Sequence, residues 1–130
     1  MHRLVTLTRD PIFDSAYISQ RSMTPAMGAA MSFSGIVRGK ENGETISAID
    51  YEANEPMALH QFDLLFDLIE QRWPMIETVR VVHRLGSVPV GEPSVWIEVI
   101  APHRAEAFAA GQFLIDEMKR TVPIWKKMVR

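Results

Sequence analysis

The chain has 130 residues, of which 47% are hydrophobic and 23% are charged, as expected for one globular domain with a single core. Its formal net charge of -2 gives no overall attraction to nucleic acid or to acidic membranes, so an anion site must come from local clustering of basic residues. The absence of cysteine excludes disulfides, thiolate metal sites and a cysteine nucleophile within this chain.

The N-terminal segment predicts a strand, a short helix and a second strand. Residues 3–8 alternate in polarity and predict a strand. Asp10 and Pro11 can open a short helix that runs to Ile18, because proline suits the first helical position. The small, apolar residues 28–37 predict a buried strand. No signal peptide or membrane span is visible, so we expect a cytoplasmic protein with one domain over residues 1–130.

The middle of the chain predicts a tight turn, a returning strand and a long helix. Asn42-Gly43 is a strong turn signal, and residues 46–53 predict the strand that follows it. Residues 55–73 predict a helix that Pro74 ends. Its apolar face consists of side chains at helical spacing, which are Leu59, Phe62, Leu65, Phe66 and Ile69.

The last part of the chain predicts two strands and a second long helix. The strands cover residues 76–85 and 94–101, and residues 86–93 predict a loop because they contain two glycines and two prolines. An alanine-rich helix follows from residue 104 to about residue 120. This order of elements predicts an α+β fold: a mostly antiparallel sheet with two long helices and one short helix packed on it.

A proline separates two lysines after this helix. Pro123 cannot donate a backbone hydrogen bond, and its ring clashes with the carbonyl of Lys119. The helix should therefore end near Thr121, so that Lys126 lies on a segment with a new direction and both lysines can reach one pocket. Mutual repulsion and burial would favour a neutral, reactive amine, whereas the helix C-terminus favours the charged form. The alternative is a pair of solvated lysines at a helix end.

Other basic residues lie where the predicted elements begin or end. His103 and Arg104 flank the start of the last helix, where free backbone N–H groups can bind an anion, although an unliganded surface pair is the plainer interpretation. Arg38 follows a strand and is either a functional residue on a rigid mount or a solvated loop residue. We expect His83 to be structural. The four histidines lack metal-ligand spacing, and we expect no metal or other cofactor.

Four blocks of the chain form a recognisable combination. They are Phe33–Arg38, Val82–Gly86, His103-Arg104 with Ala107–Phe113, and Lys119–Lys127. In order and spacing over about residues 28–127, they resemble the large, catalytic subunit of molybdopterin synthase. The last block is highly specific to that family, and the first two are supportive.

The resemblance implies an assembly and a reaction. Each large subunit has an α+β fold, and two of them pair at the centre of a heterotetramer. A small ubiquitin-like subunit docks on each and inserts a C-terminal Gly-Gly tail that ends in a thiocarboxylate. Two sulfur transfers then convert cyclic pyranopterin monophosphate into the dithiolene of molybdopterin. No thiol is needed in this chain, because the sulfur arrives on the partner's tail.

The resemblance also assigns the site residues. It implies that the catalytic residues are Lys119 and Lys126. It implies that the substrate-binding residues are Arg38, His103 and Arg104, with Phe33 and Ile115 as pocket walls, and it leaves open whether His103 and Arg104 reach across the dimer. A second hypothesis is a non-catalytic module that binds a ubiquitin-like tail or an anionic nucleotide, which needs a basic pocket but no reactive lysine.

Overall fold

The computed structural model describes residues 1–130 and contains three helices and nine strands. In chain order these are β1 (His2–Thr8), α1 (Asp14–Ser19), β2 (Ala29–Ile36), β3 (Lys40–Glu41), β4 (Glu44–Thr45), β5 (Ala48–Ala53), α2 (Glu55–Arg72), β6 (Thr78–Arg84), β7 (Gly86–Pro89), β8 (Pro93–Ala101), α3 (Arg104–Thr121) and β9 (Ile124–Val129). The predicted α+β fold is confirmed. None of the helices is both long and apolar enough to cross a membrane.

The larger sheet holds the main core. Its strand order is β1-β6-β8-β2, with β1 parallel to β6 and the other neighbours antiparallel. Helices α2 and α3 pack on one face, where Phe62, Val81, Ile97 and Leu114 are fully buried. Each such side chain stabilises the fold by about 1.5–3 kcal/mol. On the opposite face, the ring of Tyr17 in α1 stacks on Trp96, with 5.3 Å between centroids.

A smaller antiparallel sheet, ordered β7-β5-β9, stands beside the first. Its core is the apolar cluster Val37, Ile46, Ile49 and Val88. The β3-β4 hairpin lies next to it and turns at Asn42-Gly43, whose φ angles are 51° and 78°. Two positive φ angles are the requirement of a type I′ hairpin turn, so the turn predicted from this dipeptide is confirmed.

The structure corrects three details of the predicted elements. Helix α1 begins at Asp14, because the backbone of Phe13 is extended, and Pro11 therefore lies outside the helix. Residues 86–93 are not only a loop, since they contain β7, which pairs with β5. Residues 28–37 do form a strand, but it is not buried: β2 is an edge strand paired only with β8, and Val37 alone is buried.

The end of α3 follows the prediction. Val122 is extended, with φ -84° and ψ 126°, because Pro123 comes next. The chain then continues as β9, a strand that the sequence did not predict, and runs antiparallel to β5. In this register Lys126 lies opposite Tyr51.

Candidate active site

A cavity of about 830 Å³ lies between the two sheets and the C-terminal end of α3. This is within the usual size range of small-molecule sites. More than half of its lining residues are hydrophobic. Its lining includes four charged side chains and two polar aromatic ones, which are Arg38, Glu41, Lys119 and Lys126, and Tyr51 and His83. Three of these six are cations, so the cavity combines apolar walls with a local excess of positive charge.

Both lysines of the proline-interrupted segment line this cavity. Lys119 belongs to the last turn of α3, and Lys126 lies on β9 with its side chain 54% exposed. The change of direction at Pro123 is what brings them to one cavity, because a continuous helix would carry Lys126 away along its axis. The structure therefore has the arrangement that the sequence predicted for this pair.

Arg38 and Glu41 form the charged rim on the hairpin side. The Glu41 carboxylate lies 3.7 Å from Arg38 Nη2 and 4.0 Å from Lys126 Nζ, with only 14% of its side chain exposed. Both distances exceed hydrogen-bond length, so the carboxylate sits loosely between two cations. The sequence did not predict Glu41 as a site residue, because only the folded β3-β4 hairpin brings it to the cavity.

His83 also lines the cavity, although the sequence suggested only a structural role. It lies on β6, 6% exposed, and its ring meets Tyr51 edge-on, with 5.1 Å between centroids. Nδ1 lies 2.8 Å from the carbonyl oxygen of Arg84. Burial lowers the pKa of His83, and the hydrogen bond to that carbonyl offsets part of the effect.

Phe33 and Ile115 line the cavity as apolar walls. Phe33 comes from the edge strand β2 and remains 38% exposed, so its ring is available to a ligand. Gly35 lies between Phe33 and Val95, and a Cβ at that position would lie only 2.8 Å from Val95 Cγ1. A side chain there would force Val95 to move, which accounts for a glycine in the cavity wall.

His103 and Arg104 do not line the cavity of their own chain. They stand at the opposite end of α3, about 24 Å from Lys119 at 1.5 Å per helical residue. The His103 side chain is 79% exposed, and its Nδ1 lies 3.2 Å from Glu106 Oε1. The pKa of Glu106 is lowered, chiefly by its own backbone N–H and also by His103. One chain thus unites five of the seven predicted site residues.

Comparison with known proteins agrees with this fold. A family model described as MoaE protein matches residues 7–121. The molybdopterin synthase catalytic subunit of Drosophila mojavensis is 39% identical over 125 residues, covering 96% of this chain and 34% of that protein. That of Nostoc sp. is 42% identical over 102 residues, covering 78% and 62% respectively. The chain thus spans about a third of the first relative and just under two thirds of the second.

A solved structure of similar size gives the same result. The X-ray crystal structure of molybdopterin synthase from Staphylococcus aureus superposes with a TM-score of 0.87 at 32% sequence identity, covering 95% of this chain and 89% of that one. The family model alone covers most of the chain, from β1 to the end of α3. On sequence and on structure, the chain belongs to the MoaE protein family.

Proposed function

We propose that this chain is the catalytic subunit of a molybdopterin synthase. It transfers sulfur from the C-terminal thiocarboxylate of a small ubiquitin-like partner to cyclic pyranopterin monophosphate, forming the molybdopterin dithiolene. Family membership supports the reaction. The observation that carries the mechanism is that Lys119 and Lys126 line one cavity from opposite sides of Pro123.

The charge of the cavity suits two anions. The donor is a thiocarboxylate and the acceptor carries a phosphate, and two like charges 4 Å apart repel by about 4 kcal/mol at an effective dielectric of 20. Cations already in place offset this repulsion without reorganising during the reaction. Arg38, Lys119 and Lys126 supply them here. Glu41, which now lies between two of these cations, competes with the incoming anions.

The two lysines also serve proton transfer. Opening of the cyclic phosphate and loss of oxygen from the substrate both require protons to move. An amine that alternates between charged and neutral forms can deliver and accept them, and such catalysis contributes about 10²–10⁴-fold. Lys119 and Lys126 are the catalytic residues of this proposal. Phe33 and Ile115 supply apolar walls that reduce the access of water to the reacting groups.

The assembly belongs to the same proposal. The partner's Gly-Gly tail is narrow enough to enter in an extended conformation, because glycine has no side chain. Two large subunits pair, and His103 and Arg104 of one reach the cavity of the other. Their exposure and their distance from Lys119 in the same chain support this placement. We place the reaction in the cytoplasm, where a phosphorylated pterin is retained by its charge.

The test is reconstitution with purified components. The wild-type chain is mixed with a Gly-Gly-ended partner carrying a thiocarboxylate and with cyclic pyranopterin monophosphate, and dithiolene product is measured. We expect product with this partner and none with the same partner ending in an ordinary carboxylate. If both ligands bind and no product forms, the non-catalytic binding module is the better description.

A further inference from the structure

The imidazole of His83 has one nitrogen committed to the fold and one that is free. Nδ1 lies 2.8 Å from the carbonyl oxygen of Arg84. A carbonyl oxygen can only accept, so Nδ1 carries the hydrogen and donates it. In the neutral ring this leaves Nε2 as an acceptor with an unused lone pair. The protein itself therefore selects the tautomer.

The free nitrogen is accessible from the cavity. Nε2 has no hydrogen-bond partner in the protein, and the only fully enclosed side-chain polar atom without a partner is Arg84 Nε. His83 Nε2 is therefore not sealed in the core, even though the residue as a whole is 6% exposed. Because His83 lines the cavity, that space is where Nε2 meets solvent or ligand.

The surroundings of His83 keep it neutral. Burial already lowers its pKa. The other titratable groups that line the cavity are Arg38, Glu41, Tyr51, Lys119 and Lys126. The three cations among them disfavour a further positive charge, and Glu41 is held between two of those cations. A neutral imidazole acceptor therefore persists in a site that is otherwise rich in cationic donors.

The Nε2 acceptor can bind hydrogen-bond donors of a ligand, which the cations of the cavity cannot bind. Arginine and lysine only donate hydrogen bonds, so they suit a phosphate or a thiocarboxylate but not an N–H group. A reduced pterin ring carries N–H donors. The Ser94 hydroxyl, another polar group of the lining, already donates to the Gly35 carbonyl at 3.3 Å. An N–H of a ring held between the apolar walls needs an acceptor, and His83 presents one on a rigid strand.

We propose that His83 is a substrate-positioning residue whose Nε2 accepts a hydrogen bond from an N–H of the pterin ring. This inference rests on the proposed function and assigns different parts of the substrate to different residues of the site. The cations hold the anionic groups, and His83 sets the orientation of the ring. The phosphate and the partner's tail do not depend on His83.

Two substitutions separate the two nitrogens. His83→Asn keeps an amide donor near the position of Nδ1 and removes the cavity acceptor. His83→Gln places an amide oxygen near the position of Nε2 and loses the donor to Arg84. We expect His83→Asn to raise KM for the pterin phosphate about tenfold, the size of one lost hydrogen bond, with little change in kcat or in binding of the partner. We expect His83→Gln to retain most of the wild-type KM.

The opposite ranking would overturn the inference. If His83→Asn behaved as wild type while His83→Gln was impaired, the imidazole would matter only for its bond to Arg84. His60→Asn, an exposed change on α2, is the matched control and should leave both constants unchanged. Calorimetric binding of the pterin phosphate alone distinguishes failure of this inference from failure of the proposed function. If only the inference fails, the wild type turns over normally and the His83→Asn protein binds the pterin as tightly as the wild type does.

The pH dependence gives a readout that a purely structural histidine would not produce. Protonation of Nε2 removes the acceptor, so wild-type affinity for the pterin phosphate should fall as pH drops through the lowered pKa of His83, below the ordinary value of about 6.5. The His83→Asn protein should lack this step. Identical profiles for the two proteins would contradict the inference.

Discussion

Helix α3 carries basic residues at both ends, and the two ends have different surroundings. At the C-terminal end, Lys119 lines a cavity together with Lys126 and Arg38. At the N-terminal end, His103 is 79% exposed and neither it nor Arg104 faces any part of that cavity. His103 and Lys119 are about 24 Å apart along this one helix.

The surroundings of each end determine the cavity in which its side chains can act. The C-terminal cations are positioned by strands of their own chain, because β9 folds back along β5 and brings Lys126 to the cavity. Of the basic residues at the N-terminal end, only His103 has a nearby acidic partner in the chain, which is Glu106. If all of them act on one substrate, the N-terminal end must act in the cavity of a second copy. A symmetric dimer allows this, because the same residues of each copy then lie in the cavity of the other copy.

The largest expected effect lies at the C-terminal end. Replacing Lys119 by alanine should lower kcat at least about 100-fold, because a proton-transfer group and a cation of the cavity are both lost. Binding of the small partner should change little. Lys127→Ala is the control, since Lys127 neighbours Lys126 on β9 but does not line the cavity. Normal turnover by the Lys119→Ala protein in the dithiolene assay would contradict the proposed catalytic role of Lys119.

The next effect lies at the N-terminal end. Arg104→Ala should raise KM for the pterin phosphate about tenfold, because the phosphate loses a charged donor. Docking of the partner, measured by calorimetry, should be nearly unchanged. Arg120→Ala is the control, because Arg120 is an exposed arginine near the other end of α3 that pairs with Glu117. Equal losses in the two titrations would argue against a phosphate role for Arg104.

A smaller change of opposite sign is expected from the acidic residue of the cavity. Glu41→Gln removes the carboxylate that lies between Arg38 and Lys126, so affinity for the pterin phosphate should increase by about two- to fivefold. Glu44→Gln is the matched control on the same hairpin, where Glu44 pairs with Arg130 outside the cavity. Weaker binding by the Glu41→Gln protein would mean that the carboxylate orients the cations instead of competing with the substrate.

The smallest effect concerns stability at the start of α3. The lowered pKa of Glu106 means that its ionised form stabilises the folded state. This contribution is complete above the ordinary glutamate pKa of about 4.3 and is lost as pH falls through the lower folded value. Glu106→Gln should therefore reduce Tm slightly at pH 7, and the difference from wild type should vanish in acid. A difference that persisted there would point to a cause other than charge.

The sequence predicted those parts of the fold that depend on local patterns. The apolar periodicity of α2 predicted the helix and four of its five proposed buried positions, but Leu59 is 44% exposed. The proline after α3 correctly predicted the end of that helix and explained how Lys119 and Lys126 could meet. Strands β7 and β9 were missed, because their stability comes from pairing with β5, a partner distant in sequence, and their own residues carry weak strand signals.

The full lining of the cavity could not be predicted from the sequence, because it depends on the three-dimensional arrangement of the chain. Glu41 and His83 line it only because a hairpin and two sheets converge, and no spacing in the sequence records that convergence. The roles suggested for His103 and Arg104 came from family resemblance, since a helix start predicts where an anion could bind but not which molecule brings it.

The decisive measurement is complementation between the two ends of α3. Lys119→Ala and Arg104→Ala chains are co-expressed with different tags, and mixed dimers are isolated and assayed at low pterin concentration. If Arg104 acts across the dimer, one of the two sites is intact, and the mixed dimer should show roughly half of wild-type activity. Activity no higher than that of the two parent dimers would place Arg104 outside the partner's cavity and contradict the account.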